Sequence, residues 1–240
     1  MENDFIYWRH PTVPGIKVEE VTGGDRYSGS LWRDMARQVY CENGKEAYRE
    51  IGHFSNGAPF LHGDNARISL THCDGFFAVA TLPSTPEVDL KCFSPRAALG
   101  IDAEHADRAQ VLKLRGKFLS TEEQKMIDAD DVMMNVLAWT IKEAAYKAAF
   151  IPGLEFASDI RITRLPLLGP PTPYFDKSEF EIKGDKDALP EKFFGEVAVR
   201  VKDVDDTDSE RIFRLYSYLS DDFIVTLCYD PKCAKFGKIS

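Results

Sequence analysis

The sequence predicts an α+β protein. Three observations favour this class: short strand-like runs between turn signals in the first third, one long helical run near the middle, and strand-like runs from residue 165 onward. The pair Asp74-Gly75 lies between two apolar runs, which is typical of a β-hairpin. Residues 217–225 repeat the strand–turn–strand pattern of residues 70–78. This repeated pattern indicates that each half of the chain ends in a similar hairpin.

Composition is that of a folded protein and argues against several function classes. Of the 240 residues, 44% are hydrophobic and 12% are aromatic, which are globular values. The net charge of -9 argues against general nucleic-acid binding. No apolar run approaches the roughly 18 residues of a membrane span, and the acidic N-terminus lacks a secretory pattern. Five cysteines without a CxxC pair indicate free thiols in a reducing cytoplasm. We therefore predict a cytoplasmic protein without a membrane segment, and the two-half length favours a monomer.

The first part of the chain predicts strands, two helical runs and a hairpin. The strands are expected at residues 5–8, 18–21, 68–73 and 76–81, and the helical runs at residues 31–40 and 44–51. Residues 83–98 contain three prolines, which indicates a connecting segment between two halves of the chain. We therefore predict an N-terminal half at residues 1–96 and a C-terminal half at residues 97–240.

The second part begins with a strand at residues 97–104 and contains one long helix. Asp130 and Asp131 suit the positive start of this helix, and Pro152-Gly153 ends it after about residue 150. Residues 203–210 are mostly acidic and read as an exposed loop, and residues 231–240 read as a basic tail. Further strands are expected at residues 160–162, 180–182, 195–201, 211–218 and 223–229.

Two short motifs contain the candidate functional residues. In the first, Gly100-Ile101-Asp102-Ala103-Glu104, the two acids are two residues apart and share one face of a strand. In the second, residues 139–147, Trp139, Glu143 and Lys147 form nearly one helical stripe. If the helix lies beside the strand, three carboxylates and one ammonium converge, which suits a magnesium ion that also holds phosphates. Taken alone, the first motif is also compatible with a solvated strand edge. The second, taken alone, is compatible with an ordinary helix pair of Glu143 and Lys147 worth about 0.3–0.5 kcal/mol.

Together, the two motifs resemble the signatures G-x-D-x-E and W-x-x-K-E-A-x-x-K of 4′-phosphopantetheinyl transferases of the surfactin-synthetase-activating type. The resemblance implies two similar halves related by a pseudo-twofold, each a small antiparallel-rich sheet packed on helices, with the active site between them. It also implies Mg²⁺-dependent transfer of the phosphopantetheine arm of coenzyme A to a serine of an acyl or peptidyl carrier protein. Adenosine 3′,5′-bisphosphate would be released. The implied metal ligands are Asp102, Glu104 and Glu143.

The resemblance assigns further roles. Lys147 would stabilise the attacked phosphate, and Glu143 is the first candidate for the base that accepts the serine proton, with Glu123 second. Whether Glu143 is mainly ligand or base stays open here. Glu123 also fits a capping box with Ser120, which is a purely structural alternative.

The coenzyme A contacts of the family are matched only in part. His72, preceded by Thr71, occupies the family's position for holding the 3′-phosphate, so both are implied cofactor-binding residues. A partly buried strand histidine is the alternative for His72. Ala58 stands where the family has a phosphate-contacting lysine, and the candidates to replace that lysine are Arg26, Arg33 and Arg67.

Residues 108–117 carry four positive charges and no acid in an otherwise acidic chain. Because Val111, Leu112 and Leu114 lie among these charges, we predict a carrier-protein docking segment with an apolar centre and a charged rim. The alternative is a solvated helix whose leucines face the core. For the whole chain, the alternatives are another Mg²⁺-dependent pyrophosphate hydrolase or a non-catalytic module that binds a carrier protein or coenzyme A.

Overall fold

The computed structural model describes residues 5–9, 16–22, 51–63, 65–82, 99–169, 191–202 and 208–232. Within these residues, no helix has both the length and the apolar character to span a bilayer. Cys73 and Cys228, the two cysteines in this part, are free thiols as predicted. The predicted helix at residues 31–40, the predicted strand at residues 180–182 and the boundary at residues 96 and 97 lie outside it.

The first sheet is antiparallel and has four strands in the order β1-β2-β6-β5. Each strand predicted for the first part is present, and β5 and β6 form the expected hairpin. Gly75 has a φ of 81° in its turn, a conformation that glycine adopts without steric cost. The strands are β1 Phe5–Arg9, β2 Lys17–Thr22, β5 Arg67–Cys73 and β6 Phe76–Leu82.

A separate two-stranded hairpin consists of β3 Ile51–His53 and β4 Pro59–Leu61. The helical run predicted for residues 44–51 is wrong at its last residue, since Ile51 pairs with Leu61 in this hairpin. The other residues of that run lie outside the described residues. The tight turn is stabilised by the Phe54 amide, which donates to the Ala58 carbonyl at 2.9 Å.

The second sheet has five antiparallel strands in the order β7-β11-β10-β9-β8. The predicted acidic loop at residues 203–210 is too long, because β10 already begins at Asp208 and pairs there with Lys202. The strands are β7 Leu99–His105, β8 Ile160–Arg164, β9 Phe194–Lys202, β10 Asp208–Ser220 and β11 Phe223–Tyr229.

Helices cover one face of the second sheet. The long helix α3 runs over Val132–Ala149 and starts as predicted, with the Asp131 side chain accepting from the Met134 amide at 3.0 Å. It ends at Phe150, whose φ of 56° is left-handed. The shorter helices are α1 Arg115–Phe118, α2 Thr121–Met126 and α4 Phe156–Asp159, and 3-10 helices cover Ala109–Leu114 and Glu191–Phe193.

The two sheets share one hydrophobic core. Phe76 and Ala78 of the first sheet pack in one cluster with Ile101, Tyr218 and Val225 of the second. The pairing order β2-β6-β5 corresponds to β7-β11-β10, so the predicted α+β class with antiparallel sheets is confirmed. The pseudo-twofold stays a prediction. Because the core is shared, neither sheet can be removed without exposing the other.

A second contact between the sheets is polar. Glu20 of β2 is 3% exposed and accepts hydrogen bonds from the hydroxyls of Tyr218 and Ser220 on β10, the latter at 3.0 Å. Burial raises the pKa of Glu20 to about 7. The link fixes β2 against β10, while β5 lies beside β7 on the side that carries the motifs.

Candidate active site

Strand β7 lies directly against helix α3 because residue 100 is glycine. A Cβ at Gly100 would overlap backbone atoms of Ala144 and Ala148 on the helix. No side chain can occupy such a contact without moving the helix. The glycine of the first motif therefore sets the distance between the strand and the helix that carry the charged residues.

The period of two along β7 separates its core residues from its acids. Ile101 and Ala103 are buried in the shared core, at 0% and 2% exposure. Asp102 and Glu104 belong to the opposite face. Their side chains are 10% and 15% exposed, so both carboxylates are largely shielded from bulk water.

Helix α3 brings Lys147 to Asp102, as the motif spacing predicts. The Lys147 ammonium donates to Asp102 Oδ1 at 2.7 Å and to the carbonyl oxygens of Ile101 at 2.9 Å and Leu70 at 3.3 Å. Leu70 belongs to β5, so this side chain contacts strands of both sheets. All three ammonium protons have acceptors. A phosphate oxygen bound by Lys147 would therefore replace one of these contacts.

The three predicted carboxylates influence one another electrostatically. The pKa of Glu143 is raised to about 7, first by burial and then by Asp102, while Lys147 lowers it. Burial also raises the pKa of Asp102, against the opposing effect of Lys147. The pKa of Glu104 is raised by burial and Asp102, and Arg108 opposes this shift. Like charges at one site disfavour ionisation of all three in the absence of a cation.

The donor set fits a divalent cation, although the side chains are not arranged around one. As they stand, no group of three or more His, Cys, Asp or Glu in the described part could hold a metal ion. The Glu104 carboxylate pairs with Arg108. Asp102 Oδ2, however, is buried and lacks a hydrogen-bond partner among the described residues. A buried, unsatisfied carboxylate oxygen beside two further carboxylates is a donor arrangement that Mg²⁺ would satisfy.

A cleft of about 1040 Å³ opens beside these carboxylates. One wall is formed by the hairpin β3–β4 and by β5, and the other by α3 and its C-terminal end. Asp102, Glu143 and Lys147 line it together with His72. Its volume is at the upper end of the usual range for small-molecule sites.

His72 lies near the end of β5 and is exposed toward this cleft. Ala58 lines the same cleft, so the position that carries the family's lysine is at the cleft wall. Of the arginines proposed to replace that lysine, Arg67 lines the cleft and is 4% exposed. Arg26 and Arg33 lie outside the described residues.

Thr71 is buried between the sheets, at 4% exposure. Its Oγ1 accepts from the Ala103 amide at 3.0 Å and donates to Asp102 Oδ1 at 3.2 Å. Thr71 lines the cleft, and coenzyme A binding by Thr71 stays a prediction. Its hydroxyl contacts Asp102, the proposed metal ligand.

Glu123 is not brought to the carboxylate site. It forms the capping box with Ser120, and it does not line the cleft. Its carboxylate also accepts from Lys142 Nζ at 2.7 and 2.8 Å and from the Ile162 amide at 2.7 Å. Glu123 is 1% exposed and Lys142 is 0% exposed. The structural alternative for Glu123 is thus present, and its catalytic role stays a prediction without geometric support.

Much of the predicted docking segment, residues 108–117, packs against the rest of the protein. Arg115 donates to the carbonyl oxygens of Gln124, at 2.6 Å, and of Ile127, and to Asn135 Oδ1 at 3.1 Å. It therefore joins the end of α2 to α3. Val111 is buried, and Leu112 and Leu114 pack partly against the apolar cluster formed by α3 and the second sheet. The expected apolar centre thus faces the interior, and the exposed cations are Lys113 and Lys117.

An aromatic cluster in the cleft was missed by the sequence analysis. The Phe54 ring lies 4.6 Å from that of Phe60 and 5.6 Å from that of Phe150, and all three line the cleft. Tyr146 also lines it. The signal was available for two of these residues, because Glu143, Tyr146, Lys147 and Phe150 follow the i, i+3, i+4, i+7 spacing of one helical face.

Residues 98–196 match the model of the 4′-phosphopantetheinyl transferase superfamily. The match covers less than half of the 240-residue chain but includes both motifs. No curated protein matches the chain. This match agrees with the resemblance that the two motifs predicted.

Proposed function

We propose that the protein transfers the 4′-phosphopantetheine arm of coenzyme A to a serine hydroxyl of an acyl or peptidyl carrier protein, because residues 98–196 match this superfamily model. The observation that carries the proposal is the buried Asp102 Oδ2, which lacks a hydrogen-bond partner among the described residues, at a cleft that Asp102 and Glu143 both line. We infer further that the enzyme is of the surfactin-synthetase-activating type. On this proposal it is a cytoplasmic monomer with halves at residues 1–96 and 97–240.

In the proposed reaction, the serine oxygen forms a bond to the phosphorus of the phosphopantetheine phosphate. The bond from that phosphorus to the bridging oxygen breaks, and its electron pair leaves with adenosine 3′,5′-bisphosphate. When bound, Mg²⁺ would neutralise charge on the pyrophosphate oxygens. Asp102, Glu104 and Glu143 would hold this ion through their carboxylate oxygens, for which Glu104 has to leave its contact with Arg108.

The serine proton needs an acceptor, and Glu143 is the best candidate among the described residues. It lines the cleft, and its carboxylate could accept the proton directly or through a water molecule. Lys147 is positioned to hold Asp102 ionised and to contact a phosphate oxygen. For Glu123 we propose a structural role, because its carboxylate accepts hydrogen bonds from buried groups behind α3.

For the carrier protein, we propose that Lys113 and Lys117, which are exposed in the segment that follows β7 in the chain, form a charged rim. Changing both to glutamate should raise the apparent Michaelis constant for an acidic carrier at low salt and weaken its salt dependence, because exposed charges act mainly on encounter. Coenzyme A binding should not change. Lys232→Glu, an exposed lysine after β11, is the matched control. Unchanged carrier kinetics in the double variant would contradict the docking proposal.

The activity is tested by incubating the protein with coenzyme A, Mg²⁺ and a panel of apo carrier proteins, with mass spectrometry of each carrier. A carrier that gains one phosphopantetheine supports the proposal, and Asp102→Ala should abolish the gain. Coenzyme A cleaved without any carrier would indicate a pyrophosphate hydrolase instead. Carrier binding with neither cleavage nor mass gain would indicate a non-catalytic module.

A further inference from the structure

Two strands from different sheets lie side by side beneath the cleft without forming a backbone ladder. These are β5 of the first sheet and β7 of the second, and each is an edge strand of its own sheet. Two hydroxyls on β5 connect them instead. Ser69 Oγ accepts from the Ile101 amide at 3.0 Å, and Thr71 Oγ1 accepts from the Ala103 amide at 3.0 Å. Both side chains are buried, at 3% and 4% exposure.

The two hydroxyls differ in one respect. Thr71 Oγ1 also donates to Asp102 Oδ1 at 3.2 Å, whereas the contact of Ser69 with β7 is to the backbone. A hydroxyl has a single proton to donate, and that of Thr71 is used by this carboxylate. Lys147 donates to the same oxygen at 2.7 Å. One oxygen of Asp102 is therefore held from two sides, while Oδ2 lacks a partner among the described residues.

We propose that Thr71 is a positioning residue that fixes the Asp102 carboxylate so that Oδ2 is presented to the divalent cation. This inference rests on the proposed function, which supplies the cation. It replaces the coenzyme A contact expected for Thr71, because its proton is used inside the protein. It also means that a strand of the first sheet determines the geometry of a metal ligand on the second.

Removing the Thr71 hydroxyl should weaken Mg²⁺ binding. Groups that orient a metal ligand typically change metal affinity by about 10- to 100-fold when removed. We therefore expect a loss of about that size for Thr71→Val, measured by isothermal titration calorimetry of the full chain with MgCl₂ and no coenzyme A. Thr71→Ser keeps the hydroxyl and should bind Mg²⁺ like the parent.

Ser69→Ala is the matched control, because it removes the neighbouring link between the same strands without affecting Asp102. It should lower the free energy of unfolding about as much as Thr71→Val but leave the Mg²⁺ affinity at the parent value. At saturating Mg²⁺, Thr71→Val should also keep the Michaelis constant for coenzyme A. If Thr71→Val does not fold, Thr71→Ala gives the same comparison with space for a water at the Ala103 amide.

Three results would overturn the inference. One is an equal loss of Mg²⁺ affinity in Ser69→Ala and Thr71→Val, which would make Thr71 a general link between the sheets. Another is an unchanged Mg²⁺ affinity in Thr71→Val together with a raised Michaelis constant for coenzyme A, which would restore the contact first expected. The third is a parent protein that binds Mg²⁺ no better than Asp102→Asn, which would remove the proposed metal site itself. Only this third result contradicts the proposed function as well.

Discussion

Glu143→Gln should stabilise the protein in the absence of Mg²⁺ while abolishing transfer. The Glu143 carboxylate is largely buried close to Asp102 and Glu104, and its pKa is raised from 4.5 to about 7. Glutamine has nearly the same shape but carries no charge, so it removes the cost of burying a charge and the repulsion from Asp102 without leaving a cavity. A substitution that stabilises the fold and removes activity is typical of a residue kept for chemistry rather than for folding.

The magnitude follows from the pKa shift. Each pKa unit corresponds to about 1.36 kcal/mol, so a shift of about 2.5 units costs about 3 kcal/mol once Glu143 is ionised in both states. A raised folded-state pKa means that the unfolded chain releases this proton first. The cost is therefore small below pH 4.5, grows as the pH rises toward 7, and is constant above it. The stabilisation by Glu143→Gln should be about 3 kcal/mol at pH 8 and about 1 kcal/mol at pH 5.5.

Urea unfolding at both pH values, with and without Mg²⁺, measures this directly. Saturating Mg²⁺ should stabilise the parent more than the variant, because the ion binds the folded carboxylates. Glu122→Gln, whose side chain is 78% exposed on α2, is the control and should change the free energy of unfolding by less than about 0.5 kcal/mol. A Glu143→Gln protein that is less stable than the parent at pH 8, or equally stabilised at both pH values, would refute the reasoning.

Two further predictions concern Glu123, which is buried behind α3, and His72, which lines the cleft. Glu123→Gln should lower the free energy of unfolding by about 3–5 kcal/mol, because it leaves a buried ammonium without its carboxylate, and urea unfolding beside the exposed Glu122→Gln measures this. A loss below about 1 kcal/mol, the scale of an exposed pair, would show that the buried pair is not structural. His72→Ala should raise the Michaelis constant for coenzyme A far more than that for the 3′-dephospho compound. Equal increases in steady-state assays would place His72 away from the 3′-phosphate.

The part of the site set by local periodicity could be predicted from the sequence. The period of two puts Asp102 and Glu104 on one strand face, and the spacing of Glu143 and Lys147 puts them one helical turn apart. The hairpin at Asp74-Gly75 and the start of the long helix after Asp130 and Asp131 also follow from short-range rules, and the structure confirms both. In each case the partners are within a few residues of one another in the chain.

The contacts that join distant segments could not be predicted in this way. Thr71 and Asp102 are 31 residues apart, and nothing local indicates that a hydroxyl on one sheet would reach a carboxylate on the other. The partners of Arg115 could not be predicted from the sequence either. In the sequence it belongs to a basic run, but in the structure it donates to carbonyl oxygens at the end of α2. The sequence shows which side chains are charged, but the group with which each one pairs depends on how the chain packs.

Lys142 and Glu143 are adjacent in the chain but have opposite effects on stability. Lys142 turns behind α3, where Glu123 and the carbonyl oxygens of Phe156 and Ile160 satisfy its ammonium, so removing one partner is costly. Glu143 lines the cleft, where its own burial and then the neighbouring Asp102 raise its pKa and so oppose its ionisation. The buried Lys142–Glu123 pair fixes the side of α3 that faces away from the cleft. The adjacent Glu143 lies on the side that lines the cleft. A cation bound in front would then meet carboxylates whose backbone is already immobilised, which lowers the ordering cost of binding it.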